Sequence, residues 1–435
     1  MKKGVTLFLA LSLLLILCFA FTSCESTVSE KIELQTYKVV IPLEATTTEE
    51  YCAENFVLAL EERLGVKLEI IRDDMPQTEK EILIGNTKRE ESNTRDVEMG
   101  KYQLFLIDSK IVIKGSGIYI GGGAGALLNY HLEKTDEGIF LKNMPTTDKN
   151  RTFYFESKAQ DVVFMIGDGM GHNHIKMAEW DSLDHFVAQD FPRVGEVITQ
   201  SQSVIDGEAE YTDSSASATA MSTGTKTLNG YIGIDKNKGK LLNIRELAHL
   251  SGAKTGVLTT DALTGATPCG YLCHLDSRYD DEALFAQIQD LIENRQVDFL
   301  AGEVDNELTD KAKEALHSFT GADSFFLMIE EAHIDKASHE KNMRRAINSV
   351  IRYNDVIEYV AQFTFMHPET MLIVTADHET GGITGSDEVD FYAFTTSNHT
   401  NANVPYFALG AGVDYIPYEI DNTYFFDLCK SAFED

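Results

Sequence analysis

The sequence predicts an α/β protein: a mostly parallel sheet sandwiched by helices, with a smaller N-terminal α/β domain ahead of it. Three observations carry this expectation. Short uninterrupted apolar runs alternate with helical segments, as fully buried parallel strands do. Beyond Asp161 four of those runs end in acids or Asp-His pairs. The chain of 435 residues is 43% hydrophobic with only 8 prolines and 31 glycines, so it is globular and long enough for two or three domains.

Taken in order, Lys2 and Lys3 precede an uncharged run to Phe21, the layout of a signal peptide over residues 1–23. The run is long for that purpose, which leaves an uncleaved membrane anchor as the alternative. Phe21-Thr-Ser-Cys24 resembles the lipobox of bacterial lipoproteins, with phenylalanine where leucine is usual. The resemblance implies cleavage before Cys24, acylation of its sulfur, and an exported chain anchored by lipid to a bacterial membrane. The formal charge is −32, and it becomes −34 once residues 1–23, with two lysines and no acids, are removed. So acidic a surface repels nucleic acid. An anionic substrate would need locally concentrated positive charge, for which metal ions are the obvious supply. Cys52, Cys269, Cys273 and Cys429 read as small buried hydrophobes, with Cys269 and Cys273 spaced as on one helical face.

Residues 24–157 read as a self-contained domain. Residues 37–43 and 81–85 are strand-like, 66–71 is a third candidate strand, and 48–64 is an amphipathic helix. YQLFLI and KIVIKG, split by Asp108-Ser109, predict a hairpin. The glycine-rich GGGAGALLNYHLE opens another helix near Gly121. It lacks the lysine and hydroxyl residue of a phosphate loop and is read as structural. The pattern, KEILIGNTKR above all, resembles the small α/β domain preceding the barrel in bacterial hexosaminidases and glucuronidases, which implies an accessory domain without catalytic residues.

Residues 158–435 carry the chemistry. DVVFMIGDGMG is a buried strand ending in Asp168 between glycines, and acids at the tips of parallel strands are where α/β folds place ligand chemistry. TDSSASATAMSTG predicts a helix capped by Asp213 or Ser214, its small residues leaving the Ser214 hydroxyl uncovered and its N-terminus favouring an anion. A strand over 255–260 leads to Thr267-Pro268, which opens a helix, with Arg278 about three turns further as a two-pronged donor suited to phosphate oxygens. The strand FFLMIE ends in Glu330, and Asp335 and His339 follow at i, i+4, on one face as chelation requires. MLIVTADHETGG ends in Asp377 and His378, and His399 lies in a polar loop. Carboxylates and histidines without cysteine suit zinc plus a harder ion such as magnesium. A pair of such ions serves an in-line displacement at phosphorus.

The ordered set IGDGMG, TDSSASATAMSTG, KTLNGYIGID, ATPCGYLCHLDSR, FFLMIEEAHIDKASH, VTADHETGG and NHT resembles the alkaline phosphatase family across nearly all of residues 160–412. The resemblance implies hydrolysis of phosphate monoesters through a phosphoserine on Ser214, with two Zn2+ and one Mg2+. Asp335, His339 and His399 would hold one zinc; Asp168, Asp377 and His378 the other. Asp168 would bridge to magnesium, completed by Thr267 and Glu330, while Arg278, steadied by Asp213, would clamp the phosphoryl oxygens. Lys336 matches the bacterial members that carry lysine after the aspartate. Two features depart from the pattern. Gly265 stands where the family usually has Asp or His, and residues 283–323 are short where many members have insertions, so a homodimer is less expected than in the family at large.

Two other readings compete. A phosphodiesterase of the same superfamily typically uses threonine as nucleophile and lacks the pairing of Glu330 with Thr267, and a sulfatase would need a modifiable cysteine. A non-catalytic, glycan-binding surface lipoprotein would show missing ligand positions.

Overall fold

The computed structural model describes residues 26–386 and 391–434; the signal stretch and Cys24 lie outside them. Among the described residues an eight-stranded sheet runs in the order Phe299–Ala301, Lys254–Thr259, Phe325–Glu331, Asp161–Gly167, Thr370–Thr375, Val404–Gly410, Arg193–Ile198, Glu419–Asp421. The first five are mutually parallel. Val404–Gly410 runs against both of its neighbours, and Glu419–Asp421 is parallel to Arg193–Ile198. Asp161–Gly167, Phe325–Glu331 and Thr370–Thr375 are buried along their whole length. Helices cover the sheet, which is why those strands read as continuous apolar runs rather than alternating ones. The long helix Met343–Met366 lies on Asp161–Gly167 and Thr370–Thr375, while Ile244–Leu250 and Ala266–Leu272 pack on Lys254–Thr259 and Phe325–Glu331.

Register decides what the sheet presents. Thr259 pairs with Glu330, Glu330 with Ile166, and Ile166 with Thr375. The four strands therefore finish on one line, and the acids that follow each of them emerge side by side.

A five-stranded sheet precedes this one, ordered Ile70–Arg72, Lys38–Ile41, Glu81–Ile84, Lys110–Gly115, Tyr102–Ile107. The hairpin forms as the sequence predicts. Asp108 and Ser109 take φ of 46° and 67°, the twist that lets a two-residue turn join antiparallel strands. Helix Thr47–Leu64 starts at a Thr46/Glu49 capping box and stops at left-handed Gly65. The third expected strand is shorter than read: pairing begins only at Ile70, because its partner Lys38–Ile41 is itself four residues long.

The glycine run of residues 121–125 is a packing device. Helix Ile120–Ala126 is wholly buried and lies against Met343–Met366. A Cβ on Gly121 would come within 2.6 Å of the Phe365 ring, and one on Gly125 would run into the Phe365 carbonyl. Phe153, Phe155 and Phe365 close the contact with ring centroids 5.0 to 5.5 Å apart; Phe153 and Phe365 are buried, and a buried ring contributes about 2 kcal/mol. Cys52, Cys269, Cys273 and Cys429 are free and buried, as small hydrophobes should be. Among the described residues no helix is long and apolar enough to cross a membrane.

Candidate active site

Ser214 opens the helix Ser214–Thr223, which is buried along its entire length. Small residues are required because it packs on Ala266–Leu272 closely enough that a Cβ on Gly270 would sit 2.7 Å from that of Ala218. Asp213 is the N-cap. Its Oδ1 accepts from the Ala216 N–H at 3.0 Å, and its Oδ2 from the Gly230 N–H at 2.8 Å and the Ser215 hydroxyl at 2.9 Å. The same Oδ2 lies 3.4 Å from Arg278 Nη1. Arg278 thus reaches the residue before the serine, but not from a helix. Ala266–Leu272 ends before it, with Cys273 as its C-cap, the Cys273 N–H donating to the Cys269 carbonyl at 2.8 Å. The loop that follows is anchored by the Arg278 N–H on the Gly230 carbonyl at 2.8 Å.

Around Ser214 the strand tips converge. Its Oγ is 3.2 Å from His378 Nε2, which is 3.2 Å from Asp377 Oδ2 and 3.6 Å from Asp168 Oδ1. The His378 ring stacks on His399 with centroids 3.6 Å apart. His399, expected in a loop, sits in the short strand His399–Thr400 paired with Glu379–Thr380. Helix His333–His339 then adds Asp335 and His339 from one face, as their spacing predicts. Asp335 Oδ2 is 3.3 Å from His339 Nε2, and its Oδ1 is 3.6 Å from His399 Nε2. Asp335, His339 and His399 form one group of donors able to hold a cation, and Asp168, Asp335 and His378 another, with Asp335 common to both.

The histidine protons decide what the first group can do. His339 Nδ1 faces the Ser397 carbonyl at 2.6 Å and His399 Nδ1 the Thr212 carbonyl at 2.8 Å. Each Nδ1 must carry the hydrogen, which turns the two Nε2 atoms toward each other, 3.1 Å apart. Two ring nitrogens facing each other beside a carboxylate call for a shared positive charge, which either a proton on His339 or a divalent ion supplies. Buried atoms without hydrogen-bond partners make the same point: Asp168 Oδ1, Asp377 Oδ2 and Thr267 Oγ1. The donor set fits zinc and magnesium.

Charge imbalance shows in the acidities. Burial, then the neighbouring Asp377, Asp335 and Glu330 carboxylates, push Asp168 well above the usual range. Burial likewise lifts Asp377 to about 7 and Glu330 to about 8. Burial opposes the charge on Asp335 too, but the imidazoles of His339, His378 and His399 outweigh it and hold Asp335 low. The Asp335 hydrogen bond raises His339 to about 9. Glu330 accepts from the Thr259 hydroxyl, and the neighbouring Thr267 hydroxyl makes no well-formed bond.

A model of the alkaline phosphatase family matches residues 159–302 and 303–413. The chain belongs to the alkaline phosphatase family. Alkaline phosphatase 4 of Bacillus subtilis is 27% identical over 294 residues, covering 53% of this chain and 63% of that protein. Alkaline phosphatase H of Pseudomonas aeruginosa is 39% identical over 139 residues, 30% of this chain and 29% of that one. The chain spans less than two-thirds of the length of these curated relatives. Among solved structures, alkaline phosphatase from the Antarctic bacterium TAB5 superposes with a TM-score of 0.59 at 23% identity, covering 64% of this chain and all of its own, which shows a common fold. A variant of that enzyme carries Mg in its M3 site, at TM-score 0.57, 24% identity, and 64% and 99% coverage.

Sequence reasoning missed three contributors. Thr380 donates to Asp335 Oδ1 at 2.5 Å. Thr259 supports Glu330. Asp261, two residues past its strand, pairs with Lys336. The rule that singled out Asp168 at a strand tip would have found Asp261, whereas a threonine two residues past His378 carries no signal of its own.

Proposed function

We propose that this alkaline phosphatase family member hydrolyses phosphate monoesters through a phosphoserine on Ser214, using two Zn2+ and one Mg2+. The observation that carries the reading is the pair of facing Nε2 atoms of His339 and His399, closed by Asp335. Within hydrogen-bonding distance of the Ser214 oxygen stands His378, the histidine on which His399 stacks. Asp335, His339 and His399 would hold one zinc, Asp168, Asp377 and His378 the other, and Glu330 and Thr267 would complete a magnesium site with Asp168. When bound, the ions supply Lewis acidity and positive charge for the oxygens that attack and leave phosphorus.

The residues present divide the remaining work. Asp213 fixes the start of the Ser214 helix and holds Arg278, whose planar fork suits two phosphoryl oxygens. Ser214 Oγ forms a bond to phosphorus as the ester P–O bond breaks, and the alcohol leaves with a proton. Water then adds to phosphorus, the Ser214 O–P bond breaks, and the serine recovers its hydrogen. Because the nucleophile must lose a proton, rates should rise toward alkaline pH. In this reading residues 24–157 form an accessory domain, and the exported chain is tethered through acylated Cys24.

Ser214→Ala should retain its metals yet lose hydrolysis of p-nitrophenyl phosphate by on the order of a thousandfold or more, the scale of removing a covalent nucleophile. Undiminished turnover, or preference for the bis(p-nitrophenyl) ester in the parent protein, would overturn the proposal.

A further inference from the structure

Gly265 removes a side chain from a place beside Thr267, and another residue occupies the volume. A Cβ built on Gly265 would lie 2.7 Å from Asp261 Oδ2 and 3.1 Å from Asp261 Cγ. The glycine is not needed for its backbone, since φ of −58° and ψ of 158° suit any residue. What crowds a side chain there is the Asp261 carboxylate, with the Ala262 carbonyl next at 3.0 Å.

Asp261 is held from several directions. Its N–H donates to the Thr259 hydroxyl at 2.8 Å, and that hydroxyl donates to Glu330 Oε2. Its Oδ1 accepts from the Ala262 N–H at 2.8 Å and pairs with the Lys336 ammonium. Its carbonyl accepts from the Glu303 N–H at 2.6 Å. Close by, the Thr267 hydroxyl is buried, 1% exposed as a residue, and without a well-formed hydrogen bond.

We propose that Asp261 takes over the position Gly265 vacates: its carboxylate, clamped by Lys336, is a positioning group for a magnesium ion held by Glu330 and Thr267. The inference rests on the function proposed above and adds a residue to it. A hard divalent ion favours carboxylate oxygens, and charged groups just outside the ligand set tune how tightly such an ion is held. Here the Thr259 hydroxyl ties the Asp261 main-chain N–H to Glu330, which fixes the backbone that carries the Asp261 carboxylate, and Asp261 Oδ2 stands 2.7 Å from where a Cβ at Gly265 would lie. Lys336 is correspondingly engaged by Asp261, and any reach toward phosphate starts from that ion pair.

The test is calorimetric titration of Mg2+ into zinc-loaded protein, with magnesium and zinc counted by elemental analysis after desalting. Asp261→Ala should weaken magnesium binding by roughly 10- to 100-fold with zinc content unchanged, which also certifies the fold. The double variant Asp261→Ala/Gly265→Asp, which returns a carboxylate to the space just opened, should recover most of the loss. Magnesium affinity within about twofold of wild type in Asp261→Ala, or a loss that the double variant leaves unrecovered, would overturn the assignment. A wild-type protein that takes up no magnesium, or Glu330→Gln binding it unchanged, would instead overturn the site itself and this assignment with it.

Discussion

Asp213 serves two ends at once, and a pair of substitutions separates them. Its Oδ1 caps the Ser214 helix, while its Oδ2 holds the Gly230 N–H, the Ser215 hydroxyl and, more loosely, Arg278. Asp213→Ala removes all of these: about 1 kcal/mol for the cap and about 1 kcal/mol for each of the two close hydrogen bonds, roughly 3 kcal/mol together. Asp213→Asn can keep one oxygen on the Ala216 N–H, but its amide then faces the Gly230 N–H and the Arg278 guanidinium, donor against donor. It should cost about 1 kcal/mol less than the alanine variant, yet release Arg278 just as fully. Thermal unfolding reads the first quantity; inhibition by inorganic phosphate reads the second. Inhibition should weaken by about tenfold in both variants, equivalent to about 1.4 kcal/mol. Equal melting temperatures for the two variants would refute the capping argument. Unaltered phosphate inhibition in both would refute the role given to the Arg278 contact.

Three further outcomes are expected. His339→Gln and His399→Gln should each lower bound zinc by about one ion per chain while leaving helix content by circular dichroism unchanged; full zinc occupancy in both would exclude the facing Nε2 pair as ligands. Gly125→Ala should destabilise by about 1 to 3 kcal/mol through overpacking against the Phe365 carbonyl, and a melting temperature equal to wild type would show that the helices separate at no cost. Burial and the nearby Glu369 lift Asp161 from its usual 3.8 to about 8. A carboxyl whose folded pKa is raised takes up a proton on folding, so its contribution is fully present below about pH 4 and is lost as pH rises through about 8. Asp161→Asn, which can still accept the Phe325 N–H, should flatten the fall in melting temperature between pH 5 and pH 8; an unaltered slope would exclude Asp161 as its source.

The sequence by itself determined whatever depends on neighbours along the chain. Asp168, Glu330 and Asp377 were legible as acids at strand tips because both faces of a parallel strand are buried and its whole length reads apolar. Asp335 and His339 were legible because a helix returns to the same face every four residues. Ser214 stood out because the small residues that follow it leave its hydroxyl uncovered at a helix N-terminus. The tertiary structure decided the rest. His399 means little as a lone histidine in a polar stretch; its role as a donor comes from stacking on His378 and tying its Nδ1 to the Thr212 carbonyl, 187 residues away. Arg278 reaches Asp213 only through a loop that abandons the helix expected there. Gly265 reads as a missing side chain until the backbone carries Asp261 into the same volume. These differences share one cause: periodicity fixes which way a side chain points from its own element, but the lateral register of four strands sets which elements meet, and that register is written in pairings between distant residues.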